Sequence, residues 1–540
     1  MTYPSHMMAV LPEIPNPPLS YSVPAFLLLL FMTYYLSTAI YCHFFSPLRR
    51  FPGPPTTSFS YLWLCKVHRP GRMADYFTAA NSKYGHMSTI RVGPNDLITS
   101  DPEVIRRTSG ARSKYSRSDW YKQSRLDPLT DARFTTLDTK YHDELKAKLS
   151  AGYAGKDVPN LEGDIDLKLR QVREVLERKV EQGKTIDLAR LSSHFTLDSI
   201  SRIAFGHEAD FEMVLTEGAD KHGVDYLGLV ERHAPKSVAI SSAPLLRGLF
   251  ANDLTLKLIG PKATDKAGLG LLMRLARMLV GERFGEGAED RKDMLGSFVR
   301  HGLSQRECEA EVLIQIVAGS DTTATAIRAT MLYVMTTPRV YRALQREIDE
   351  GIKSGKISNP ITAAEGAKLP YLQGVIYEGL RLYPPFTGIP LKVVPPEGDT
   401  IDGKFVPGGT RIAASFWSTG RHKGTFGEDA DLFRPERWIE AAAQNEKKFV
   451  EMKRVAELVF GYGRWGCPGK TVAFLELNKI FVEVCLFCAT PPCRSSGCET
   501  DTRDLFANGS CCGTLTSNLC TLMSRGKRTT TACGYTVICG

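Results

Sequence analysis

Cysteine is scarce through most of this 540-residue chain: four of the thirteen precede residue 485, and nine crowd into the last 56 positions. The body is therefore no disulfide scaffold, and a reducing compartment suits it. Zinc-finger spacings and aromatic-basic stripes are missing too. The excess of 68 basic over 59 acidic side chains, +9 in all, is spread along the chain, so no nucleic-acid footprint is marked. Between about residues 56 and 486 there is no linker, repeat or low-complexity run, which leaves one large domain. At 43% hydrophobic and 24% charged residues, such a domain is globular and can bury a large core. No flavin or nucleotide domain is present in the sequence.

Asp, Glu, Lys and Arg are also absent from Ser22 to Phe45, and about twenty such residues span a bilayer. The leader, 1–21, has Glu13, several prolines and no basic start, so 22–45 reads as an uncleaved transmembrane anchor rather than a signal peptide. Arg49 and Arg50 close the segment and put the residues after them on the cytosolic side by the positive-inside rule. Residues 46–55, ending Phe51-Pro-Gly-Pro-Pro55, read as a stiff Pro-rich hinge before the body.

Helical periodicity dominates that body. Residues 161–182 and 185–206 carry apolar positions at three- and four-residue steps, the second run ending at a candidate C-cap, Gly206. The 305–337 segment is the longest helical candidate, a central element of roughly 50 Å. Strand-like pieces are short: Met87–Val92, Leu391–Val394, and Thr400–Ile412 with turns at Gly403 and Gly408-Gly409. The fold class is mainly α with small β-sheets, behind a single N-terminal transmembrane helix. An apolar patch from Val238 to Ile259 suits either a pocket lining or a membrane contact.

The strongest chemical signal is Phe460-Gly-Tyr-Gly-Arg-Trp-Gly-Cys-Pro-Gly469. A thiolate that binds iron in a flat macrocycle needs backbone close by, and Gly461, Gly463, Gly466 and Gly469 remove the Cβ atoms that would prevent it. Freed N–H groups can bond the sulfur, and Pro468 suits the first turn of a helix whose positive end lies beside it. The plainer alternative is a glycine-rich turn with an incidental buried cysteine.

These residues resemble the haem-binding loop of the cytochrome P450 family. The resemblance implies the P450 fold over residues 56–486, heme b as cofactor and Cys467 as its axial thiolate, with Phe460 and Gly463 in the cofactor loop. Family members usually carry a basic residue two positions before the cysteine, paired with a haem propionate; here Trp465 stands there with Arg464 beside it. In the family, Glu378 and Arg381 of Glu378-Gly-Leu-Arg381 would join Arg437 of Phe433-Arg-Pro-Glu-Arg-Trp438 in a buried ionic triad that supports the loop. Ala318-Gly-Ser-Asp-Thr-Thr323 resembles the oxygen-binding kink, where Asp321 relays protons and Thr322 hydrogen-bonds dioxygen as its O–O bond breaks. The alternative is a loop in which Ser320 or Asp321 caps a second helix. His142 and Lys146 resemble a propionate-holding pair, and Phe386–Leu391 a pocket-lining stretch for a lipophilic substrate. Lys447, Lys448, Lys453 and Arg454 could dock an acidic electron donor.

The resemblance therefore implies a monooxygenase that takes O2, a lipophilic small molecule and electrons from a separate NADPH-cytochrome P450 reductase. Its implied place is the endoplasmic reticulum membrane, single-pass, with the catalytic domain cytosolic, in fungal secondary-metabolite biosynthesis. Isomerases and dehydratases of the same cofactor class are disfavoured by the Asp321-Thr322 pair. The match stops near residue 486. Residues 487–540 are rich in Cys, Ser, Thr and Gly where family members continue into a hairpin reaching the pocket, so this tail is expected to be disordered or a gene-model artefact. The alternative function is an inactive haem-binding protein with an incomplete pocket.

Overall fold

Ser304 opens the helix around which the domain is built. Its side chain accepts from the Glu307 N–H, and the Glu307 carboxylate accepts the Ser304 N–H at 2.8 Å, a reciprocal cap. The computed structural model describes residues 19–489, apart from 68–72, 85–87, 208–210, 219–227, 229–243, 251, 267 and 387. From its cap the long helix Gln305–Met335 runs 31 residues without a break. The alternative of a loop at Ala318–Thr323 is thus overturned. The hydroxyls of Ser320 and Thr322 bond back to the carbonyls of Ile316 and Ala318 at 2.6 and 2.7 Å, which satisfies them inside the helix. Gly319 has a packing reason: a Cβ there would stand 2.7 Å from Ile200 of the crossing helix Leu188–Phe205.

Helices Leu161–Glu181 and Leu188–Phe205 occupy the periodic runs, and the second closes on Gly206, whose N–H returns to the Arg202 carbonyl. Among the described residues there are seven short strands: β1 Thr89–Gly93, β2 Asp96–Thr99, β3 Ser116–Arg117, β4 Lys392–Val393, β5 Asp399–Ile401, β6 Lys404–Val406 and β7 Arg411–Ala414. Five form one sheet in the order β1-β2-β7-β4-β3, and β5 pairs with β6. Met87, expected in the first strand, and the 490–540 tail lie outside the described residues.

Helix Leu19–Ile40 continues into the turn Tyr41–Phe45. Among the described residues it is the one helix long and apolar enough to cross a membrane, with side chains such as Leu27, Leu29 and Phe31 exposed. The segment expected as a hinge packs onto the sheet. Leu48 and Phe51 are buried against Leu97, Val394 and Ile412, and Arg91 donates to the Cys42 carbonyl at 3.0 Å.

Candidate active site

Cys467 stands just before the helix Lys470–Ala489, the final one among the described residues. Its N–H donates to the Phe460 carbonyl at 2.7 Å and closes the loop. Gly461 and Gly463 adopt φ of 74° and 58°, and a Cβ on either would meet a carbonyl oxygen, of Trp465 or Ser109, at 2.7 Å. Glycine is required at both, by the positive φ and, at Gly463, by the neighbouring Ser109–Ala111 backbone. Gly466 and Gly469 are uncrowded, with Gly463 O at 3.4 Å and Cys467 Sγ at 3.9 Å the nearest atoms to an added Cβ, so they leave room beside the sulfur. Burial pushes the Cys467 thiol up, while backbone N–H groups of Gly469 and Lys470 and the charges of Arg133 and Lys470 pull it back.

The sulfur is enclosed by protein yet open to a cavity of 810 Å³. Phe460, Trp465, Asp321, Thr322, Phe386 and Pro390 share its walls. The Asp321 carboxyl is raised by burial, with Arg328 at 3.9 Å opposing. Thr387 of the pocket-lining stretch lies outside the described residues.

One wall of this cavity is cationic, and the sequence alone gave no sign of it. Arg117 and Lys392, each 5% exposed, line it with Arg133 at 7%. The guanidinium of Arg117 and the ammonium of Lys392 both lie 4.3 Å from the Trp465 ring centroid, and His142 packs at 4.4 Å from the same ring. Arg117 Nε, Lys392 Nζ, Trp465 Nε1 and His142 Nε2 are all buried without a hydrogen-bond partner. Burial, with Arg133 adding repulsion, lowers Arg117 to about 10, and burial with the charges of Arg117 and Arg464 puts Lys392 well below the ordinary lysine range. Burial and Arg117 hold His142 near 3, hence neutral. Arg117 Nη1 already donates to the carbonyls of Arg133 and Thr136, but its Nε and the Lys392 ammonium have no acceptor, and buried charged donors left so call for an anionic ligand. A haem, with a metal for the thiolate and two propionates for this wall, fits the residues present.

Arg464 and Lys146 are used differently. Arg464 pairs with Asp143 at 3.2 Å, and the Lys146 ammonium donates to the carbonyls of Gly463 and Arg464 at 3.1 and 2.9 Å. Neither they nor Gly463 are among the cavity-lining residues; Lys146 braces the loop from helix Thr139–Tyr153.

Glu378, Arg381 and Arg437 come together behind the loop rather than on the cavity wall. Arg381 donates to both Glu378 oxygens at 2.9 and 2.6 Å, Arg437 adds a bond at 3.0 Å and the Trp438 indole one at 2.9 Å. All three charged side chains are at most 2% exposed. The link to the loop runs through Glu457, which accepts from Tyr377 at 3.0 Å and pairs with Lys470 at 2.8 Å. Glu476 was no sequence candidate either. It is buried on the cavity wall, raised well above the carboxylate range by burial and hydrogen-bonded to Thr323, and so ties the final helix to the long one. A Glu set between the apolar residues Val472–Leu475 and Leu477 was its signal.

Comparison with known proteins agrees with this geometry. The family model described as Cytochrome P450 matches residues 52–486. Cytochrome P450 monooxygenase ABA1 of Pyricularia oryzae is 48% identical over 462 residues, covering 84% of this chain and 88% of the relative. Cytochrome P450 monooxygenase aba1 of Botryotinia fuckeliana is 43% identical over 445 residues, 81% and 86%. Cytochrome P450 monooxygenase gsfF of Penicillium aethiopicum is 30% identical over 463 residues, 83% and 89%.

Proposed function

The chain belongs to the cytochrome P450 family, and on that footing we propose a monooxygenase that inserts one oxygen atom from O2 into a small lipophilic substrate of fungal secondary metabolism. Its electrons come from a separate NADPH-dependent reductase, for which the exposed Lys447, Lys448 and Arg454 on helix Glu446–Ala456 offer a basic docking face. The observation that carries the reading is that Cys467 and the Asp321-Thr322 pair line one cavity.

Bound heme b supplies an iron centre able to reduce O2 and oxidise a C–H bond. Cys467 gives the sulfur ligand. Arg117 and Lys392, with Trp465 Nε1 and His142 Nε2, would hold its propionates. Glu378, Arg381 and Arg437 fix the loop from behind. Asp321, whose carboxyl burial has brought closer to neutral pH, takes protons from water. Thr322 turns its hydroxyl from the Ala318 carbonyl into the cavity to pass them on.

Helices Pro244–Phe250 and Asp253–Ile259 support a membrane route for the substrate. Phe250 and Leu256 line the cavity, whereas Leu249, Leu254, Leu258 and Ile259 are exposed, so these two helices serve both as lining and as membrane face; the rest of the apolar patch, 238–243 and 251, lies outside the described residues. With the anchor at 23–45 and the arginines after it, the reading is a single-pass protein of the endoplasmic reticulum with a cytosolic catalytic domain. The test is a carbon monoxide difference spectrum of the reduced protein, followed by turnover with reductase and NADPH. A thiolate spectrum with NADPH-dependent product supports the proposal, and a thiolate spectrum with no turnover on any lipophilic substrate removes it.

A further inference from the structure

Towards the start of the long helix the cavity wall turns polar. Glu311, Gln315, Ala318 and Thr322 are spaced four, three and four residues apart, so they share one helix face, and all four line the cavity. Glu311 is 2% exposed, Gln315 3%, and Tyr153 beside them 7%. The neighbouring lining is apolar, with Ile314, Val317 and Leu272. Polar groups buried in such company cost free energy unless each finds a partner, and here the partnering is incomplete. One Glu311 oxygen accepts the backbone N–H of Arg133. The Gln315 amide rests its N–H on the Met294 sulfur at 3.3 Å, a weak acceptor, and is also in hydrogen-bonding contact with the Tyr153 hydroxyl. Gln315 Oε1 is buried with no donor at all. Neither the haem fit nor the proton path uses these side chains.

We propose that Glu311, Gln315 and Tyr153 form a polar anchor for a hydroxyl group carried by the substrate. This inference rests on the monooxygenase reading and narrows its substrate to a lipophilic alcohol. The unmet atom is an acceptor, so the ligand must bring a proton. Burial raises Glu311 to about 6, which leaves it mostly ionised at neutral pH and therefore a second acceptor. The Tyr153 phenol can donate to the alcohol oxygen in return. A carboxylate ligand would bring no proton and would meet the Glu311 charge. Eleven residues separate Glu311 from Thr322, roughly 16 Å along the helix, so the held hydroxyl lies at one end of the substrate and oxidation falls at another.

Equilibrium dialysis of the haem-loaded full chain tests this with two matched pairs, farnesol and retinol each against its methyl ether. At least one alcohol should bind about tenfold or more tightly than its ether, because a site built to pair a hydroxyl rejects the analogue lacking it. Gln315→Leu and Tyr153→Phe should each bring that ratio close to one, and Glu311→Gln, which keeps an acceptor oxygen, should preserve most of it. Alcohols bound no better than ethers, or a ratio untouched in both Gln315→Leu and Tyr153→Phe, would overturn the anchor. The reduced carbon monoxide spectrum of each sample separates the two levels: a normal thiolate spectrum beside such a result sinks the anchor alone, while its absence in the unmutated chain sinks the monooxygenase.

Discussion

Arg117 and Lys392 stand directly opposite each other across the β3–β4 pair. Like charges in that register repel, and both are buried, so the pairing is tolerable when an anion lies against it. Lys392→Met should weaken haem retention by about 10- to 100-fold, the worth of one or two charge-assisted bonds. It should also raise the melting temperature of haem-free protein, since an unpaired buried cation is gone. Haem content after exhaustive dialysis, with thermal melts of both forms, checks the two signs.

Removing one member of a buried ionic network leaves the others undercompensated. Arg381→Ala strands Glu378 against Arg437 and frees the carbonyls of Gly420 and Ala430 that Arg381 now bonds. The expected cost is about 3–5 kcal/mol, and the protein should be recovered without haem. Normal haem content on purification would contradict this.

Thr322→Ala removes the hydroxyl and its bond to the Ala318 carbonyl from a helix that stays intact through its other bonds. Substrate binding should survive, whereas product formed per NADPH consumed should fall several-fold as protons arrive out of place. Equal yields per NADPH in the two proteins would remove Thr322 from the proton path.

Glu311 gives a pH dependence with a definite sign. Burial, countered by the Arg133 N–H and by Arg133 and Arg117, raises its carboxyl from 4.5 to about 6. Between those values the folded chain keeps a proton that the unfolded chain releases, so this group's stabilising contribution is complete below 4.5 and is lost as pH rises through 6. The loss amounts to about 2 kcal/mol. Glu311→Gln should therefore gain stability relative to the unmutated protein as pH goes from about 5 to about 7.5, read as a widening gap between their melting temperatures. A constant gap would refute it.

Features close together along the chain were the legible ones. The thiolate loop is ten consecutive residues, the Asp-Thr pair adjacent, and Glu378-Arg381 one helical turn, so each could be read as a unit. The long helix was legible from its period, although its polar middle invited a loop; back-bonding hydroxyls and the Ile200 contact at Gly319 explain why it continues. The cationic wall was illegible because Arg117 and Lys392 meet only through strand pairing. Family members usually carry a basic residue two positions before the cysteine; here Trp465 stands there, among the cations, and the neighbouring Arg464 turns to Asp143. The docking of residues 46–55 was hidden for the same reason, since it depends on Leu48 and Phe51 meeting Leu97 and Ile412 and on the Arg91 N–H reaching the Pro52 carbonyl.

The most direct test is the reduced carbon monoxide spectrum of Cys467→Ser beside that of the unmutated chain. The unmutated protein should show the red-shifted band of a thiolate-ligated haem, and the serine variant should lose both that band and all NADPH-dependent oxidation. A variant that binds haem with the same spectrum and still oxidises substrate would contradict the assignment of Cys467 as the iron ligand.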